Sequence, residues 1–186
     1  MQDPAAFESF KEIVKNRHTQ KNYTGKPIAR KDLESLLELA FRAPNHRLNE
    51  PWRFRVLTQE AIQKLISHMN TKLDEAEKAA FKKSYDRLAL AGAMIFVTVL
   101  KDENPSIEQE NYAAACAAVE HILLGASALK FASFWSTGKA VFHPLCLKYL
   151  NIPDSEKLVA SVWLGHSDVK GLVSPRTKIE DVSHWF

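Results

Sequence analysis

The sequence predicts an α+β fold, and three observations carry that expectation. The eight residues AMIFVTVL, 93–100, are a continuous apolar, β-branched run of the kind found in strands covered on both faces. Residues 107–130 read as one long helix whose middle, YAAACAAVEHILLGASAL, is apolar around most of its circumference. Helices come first and strands are interspersed irregularly, which disfavours the even alternation of a doubly wound fold.

The elements follow in order. Phe7, Phe10, Ile13 and Val14 recur at helical spacing, so residues 5–16 form an amphipathic helix. TGKPI is a turn. A second helix runs from Lys31 to Arg42, with Leu33, Leu36, Leu37 and Leu39 on its apolar face and Pro44 as its stop. RFRVLT alternates as a strand, residues 59–69 are helical, and TKLDEAEKAAFKKSYDRL is a charged, largely exposed helical region. After the long helix come a short strand at ASFW, a helix over 141–150 and the strand KLVASVWLG. The tail from His166 to Phe186 has few apolar residues and suits wrapping another subunit.

At 186 residues and 21.1 kDa the chain suits one domain, 1–186, with a core that needs no disulfide staple. The net charge of +3 comes without a basic run, and aromatics are not interleaved with basic residues, so nucleic acid is not the expected partner. Cys116 and Cys146 lie far apart with no C-x-x-C, as in a reducing compartment. No segment approaches eighteen uncharged apolar residues and the N-terminus has no apolar leader, so the expectation is a cytoplasmic protein without a membrane span.

Six glycines supply neither G-x-G-x-x-G nor a Walker-type loop, and no H-E-x-x-H or paired Cys/His spacing suggests a metal. A bound phosphate would therefore be held by side chains. NRHTQKNY offers them: Arg17, Thr19 and Lys21 alternate, and in an extended chain would face one side. APNHRLNEPWRF sets Asn45 and His46 in a stiff loop between Pro44 and Pro51. WSTG, Trp135–Gly138, puts small hydroxyl residues beside a glycine, where a backbone can lie close to a ligand. SPRTKIEDV carries Arg176 and Lys178. Each alone also reads more plainly, as a solvated basic turn, a helix stop before a core tryptophan, or an ordinary turn.

Together, in this order, the four segments resemble the nitroreductase family of FMN-dependent NAD(P)H oxidoreductases, nearly end to end. RHTQKNY matches the family's R-[RH]-[ST]-x-[KR]-x-[FY], and APNHRLNEPWRF follows its A-P-S-x-x-N-x-Q-P-W-x-F. KFASFWSTG stands for G-x-G-x-x-W, and the Asn-His pair and W-[SR]-[ST]-G run look most like the compact NAD(P)H nitroreductase subgroup. Glu50 replaces a glutamine, Leu48 an asparagine, and Lys130 and Ala132 replace glycines.

The resemblance implies a nitroreductase-like fold, with a central mixed or antiparallel sheet flanked by helices, as an interlocked homodimer holding FMN at its interface. It implies that Arg17, His18 and Thr19 hold the phosphate, joined by Arg176, and that Lys21 approaches N1 of the ring. Asn45 and His46 would lie against the flavin from the partner subunit with Arg42 nearby, and Trp135, Ser136, Thr137 and Gly138 would line the ring. The implied activity is ping-pong reduction of nitroaromatics, quinones or related small acceptors by NAD(P)H, without a dedicated catalytic side chain. A specialised flavoenzyme of the same fold, dehalogenating or flavin-degrading, and a non-enzymatic flavin sensor are the alternatives.

Overall fold

The computed structural model describes residues 3–172 and 174–186. Strands β1 (Trp52–Thr58), β2 (Ala93–Leu100), β3 (Ala132–Ser136) and β4 (Glu156–Gly165) form a sheet in the order β1-β2-β4-β3. Each neighbouring pair is antiparallel. Around it stand α1 (Pro4–Asn16), α2 (Arg30–Ala40), α3 (Gln59–Lys72), α4 (Glu75–Leu88), α5 (Pro105–Ala128) and α6 (Pro144–Tyr149). The architecture is α+β.

β2 is central, and its seven residues Ala93–Val99 are buried. Because strand side chains alternate, Ile95, Val97 and Val99 join the core beneath α2 and α5. Met94 and Phe96 join the opposite core with residues of α3, α4 and α6. This division explains why the strand reads as apolar throughout. Met94, Ile95, Phe96 and Val97 are fully buried, each contributing about 1.5–3 kcal/mol.

Local chemistry sets the helix ends. Asn104 caps α5 by accepting from Ser106 N–H, and Pro105 occupies the first turn, where a missing N–H is harmless. α4 opens on a capping box, in which Asp74 and Glu77 satisfy each other's backbone N–H groups. Beyond α5 the chain turns at Lys130, φ 60°, a left-handed conformation usually left to glycine. That is one of the positions where the sequence departs from the nitroreductase pattern. At Gly125 a Cβ would stand 2.7 Å from the methyl tips of Leu36 and Leu39, so glycine lets α2 lie close against α5.

The other face is pinned by polar groups. Arg55 on β1 donates to both carboxylate oxygens of Glu156 and to the carbonyls of Leu150 and Asn151 at the end of α6. Thr98 also donates to Glu156. Burial raises the Glu156 pKa, but the hydrogen bonds from Arg55 and Thr98 outweigh it, and the carboxyl sits below its ordinary value.

Two parts of the chain bury little of themselves. α1 buries none of its residues, although Phe7, Phe10 and Val14 share its apolar face. In the tail, Leu172, Ile179, Val182, Trp185 and Phe186 are all exposed. Among the described residues, no helix is long and apolar enough to cross a membrane.

Candidate functional site

The segment after α1 runs along the free edge of β3. Thr19 and Ser133 form a parallel bridge, and Gln20 N–H donates to the Ser133 carbonyl at 2.9 Å. The sheet is thus antiparallel with a parallel fringe. Gln20 is buried, and its side-chain oxygen accepts from the N–H groups of Lys21 and Asn22 while its Nε2 donates to the Val169 carbonyl. That clasp ends the extended run one residue before Lys21.

The expected alignment of Arg17, Thr19 and Lys21 on one side therefore stops at Thr19. Arg17 turns to α5, its Nε 3.8 Å from Glu120 Oε1. The contact is too long for a hydrogen bond, so the guanidinium fork is not committed to that carboxylate. Lys21 Nζ lies 3.9 Å from the ring centroid of Phe134, a side chain packed on the sheet face opposite α5.

Arg17, His18 and Gln20 line a recess of about 230 Å³ with Lys130, Ser133, Ser167 and Gly171. The residues lining it include two cations and the hydroxyls of Ser127, Ser133 and Ser167, and no acid among the described residues. That donor set suits a phosphate. His18 Nδ1 lies 2.7 Å from the Asn16 carbonyl, and its ring packs against Gly171 so closely that any side chain there would collide. Thr19 is exposed beside the recess.

β3 leads into the second cluster. Trp135 is half-buried on the α5 face. Ser136 is buried: its Oγ accepts from Gly138 N–H and its carbonyl accepts from Ser161 Oγ. Its hydroxyl therefore shapes the turn. Thr137 and Gly138 stand exposed at the tip.

The Pro44–Pro51 loop lies at the far edge, leading into β1. Asn45 closes it, donating to the Ala43 carbonyl and accepting from Glu50 N–H. His46 Nδ1 is 2.9 Å from Glu110 Oε2, and Asn49 donates to the buried Asn111 at 2.7 Å. Two consecutive residues of α5 thus hold the loop. Arg47, Leu48 and Glu50 all have positive φ, near 52°, 53° and 43°. Non-glycine residues in that region are strained, and strain of this kind gathers where a scaffold must hold an exact shape. Arg42 is exposed and lines an apolar groove with Phe10, Ile13 and Leu39. Arg176 is exposed and donates to the nearby carbonyls of Ser174 and Pro175.

The structure brings the predicted residues together as two groups. Arg17, His18, Thr19 and Lys21 join Trp135–Gly138 around β3, while Arg42, Asn45 and His46 precede β1. Three strand spacings of roughly 4.8 Å separate those edges, about 14 Å across the sheet. Gln20, Ser133, Glu110, Asn111 and Gly171 were not predicted. Gln20 stands at the unspecified position of the R-[RH]-[ST]-x-[KR] motif, and neither it nor the α5 pair carries a local signal.

Known proteins share this fold. The Bacillus subtilis protein named Putative NAD(P)H nitroreductase YfhC is 23% identical over 177 residues, covering 92% of this chain and 91% of its own. A crystal structure of a nitroreductase-like family protein from Bacillus cereus superposes with a TM-score of 0.86 at 26% identity, over 95% of both chains. A Desulfovibrio desulfuricans structure in complex with FMN has a TM-score of 0.76 at 22% identity, over 100% of this chain and 99% of that one, a likeness of fold. The model of the nitroreductase family matches residues 14–166, from the end of α1 to the end of β4, and the chain belongs to that family.

Proposed function

We propose that this protein is an FMN-dependent oxidoreductase that uses NAD(P)H to reduce small acceptors, nitroaromatics and quinones among them, as a homodimer of a single-domain chain. The observation that carries the reading is the recess beside β3, where Arg17 and Lys130 offer cationic donors with hydroxyls beside them. It suits the phosphate of a mononucleotide and fits the absence of a glycine-rich dinucleotide fingerprint from the sequence. The FMN complex of the Desulfovibrio desulfuricans structure supports the same cofactor.

Bound FMN would supply the two-electron chemistry, accepting hydride from NAD(P)H and yielding electrons to the acceptor. The chain's part is to bind and orient. Arg17, Thr19 and Lys130, with Arg176 from the tail, would hold the phosphate. Lys21, Trp135, Thr137 and Gly138 would border the ring, with Ser136 and His18 shaping the turns behind them. Asn45, His46 and Arg42 would come from the second subunit, since in one chain they stand across the sheet from the recess. The uncovered apolar faces of α1 and the tail support that second copy.

Anaerobic mixing of FMN-loaded protein with NADH or NADPH tests the reading. The visible flavin band should bleach, and a quinone or nitroaromatic should restore it. Flavin that stays oxidised with both nucleotides would overturn the enzymatic reading and favour a sensor.

A further inference from the structure

The charged region 71–88 carries no motif, yet one face of its helix is committed. Glu77, Phe81 and Tyr85 of α4 are spaced four apart and form a stripe along it. All three meet the loop that follows β3. Tyr85 Oη–H donates to the Ala140 carbonyl at 3.2 Å in a buried contact. Phe81 meets the His143 ring edge-on, with centroids 6.0 Å apart. Glu77 Oε1 lies 3.3 Å from His143 Nε2.

His143 is held from both ends. Its Nδ1 accepts from Leu145 N–H and caps α6, so the ring proton resides on Nε2 and points at Glu77. Between these anchors the loop folds on itself: Val141 and Phe142 donate their N–H groups to the Gly138 carbonyl. Ala140 and Val141 are buried, whereas Thr137, Gly138 and Lys139 are exposed. The loop is therefore fixed at its far end and presents its near end to solvent. That near end, Thr137 and Gly138, completes the Trp135–Gly138 segment, whose first two residues belong to β3.

We propose that Glu77, Phe81 and Tyr85 are positioning residues, which act through Ala140 and His143 to set the Trp135–Gly138 segment against the cofactor. The proposal rests on the FMN reading above and adds a task for α4. The stripe holds the turn in its binding shape before the ligand arrives. Loop ordering is then not charged against binding, as preorganisation requires.

Two substitutions remove the ties, one of them together with the ring that Phe81 packs against. Tyr85→Phe deletes one hydroxyl. His143→Asn retains a good cap for α6 but cannot reach Glu77. The double variant is compared with the parent by hydrogen exchange of the peptide spanning 137–143 without cofactor, by FMN titration, and by the visible circular dichroism of bound flavin. The expected result is a folded protein whose 137–143 amides exchange several-fold faster, whose FMN dissociation constant rises about tenfold, and whose flavin dichroism changes. Lys82→Ala, on the same helix but paired with Asp86 at the surface, should alter none of these.

Unchanged exchange in the double variant would overturn the clasp. Faster exchange with unaltered FMN affinity and dichroism would overturn the positioning role. A parent protein that takes up no FMN would overturn the functional reading itself, and is recognisable because the exchange comparison needs no cofactor. Should the double variant fail to fold, Tyr85→Phe alone carries the same readouts, with a smaller expected change.

Discussion

Arg17 and Lys21 lie four residues apart, yet Gln20 sends them to different surroundings, one toward α5 and one over Phe134. Their substitutions should therefore separate. Charge-assisted hydrogen bonds contribute about 1.5–3 kcal/mol, so Arg17→Ala should weaken FMN binding roughly ten- to a hundredfold, equally for oxidised and reduced flavin. Lys21→Ala should retain oxidised FMN better and lower its midpoint potential, because a cation near the ring favours the anionic reduced form. A redox titration of both variants decides this, and an unchanged potential for Lys21→Ala would remove Lys21 from the ring. Glu156 gives a prediction independent of any ligand. Its pKa in the folded chain lies below the ordinary 4.5, so its stabilisation is complete above that pH and is lost as pH falls through the folded value. Glu156→Gln should lower the Tm at neutral pH, and the gap to the parent should close as pH falls through the folded Glu156 value, below the ordinary carboxyl range.

Elements show how far local pattern reaches. β2 was legible to the residue, because a strand covered on both faces leaves an unbroken apolar run. α5 was legible to within two residues at each end; its actual start, two residues before the expected one, is set by the Asn104 cap and Pro105. Its end was less plain, since Lys130 takes the left-handed turn that glycine normally signals. The Pro44–Pro51 loop was recognisable as a stiff element, but it was not legible that the amide of Asn45, the residue expected beside a flavin, also closes the loop with two hydrogen bonds. No sequence pattern distinguishes those roles, because Glu110 and Asn111 meet the loop only after α5 has packed. Asn45→Ala should lower stability by about 1–3 kcal/mol even without FMN, measured by denaturant titration, as expected for two lost hydrogen bonds. A substitution that touched ligand binding alone would leave that titration unchanged. At Gly125, a valine should cost about 1–3 kcal/mol by pushing Leu36 and Leu39 off α5.

At the scale of the whole molecule, the site residues divide between opposite edges of one sheet, and a helix and a tail leave apolar side chains uncovered. The fold class followed from element order, but this division could not be read from the sequence, because edge positions depend on the β1-β2-β4-β3 order. A second copy would join the two groups. Light scattering should report a dimer, and deleting residues 175–186 should weaken both the dimer and FMN retention, whereas a folded monomer that holds FMN would contradict the shared site. The central claim is the cofactor. Its most direct test is the visible spectrum of the purified protein, followed by chromatography of what heat or acid releases. The account predicts a yellow protein that yields FMN and not FAD, close to one per chain; a colourless protein that takes up no added FMN would contradict it.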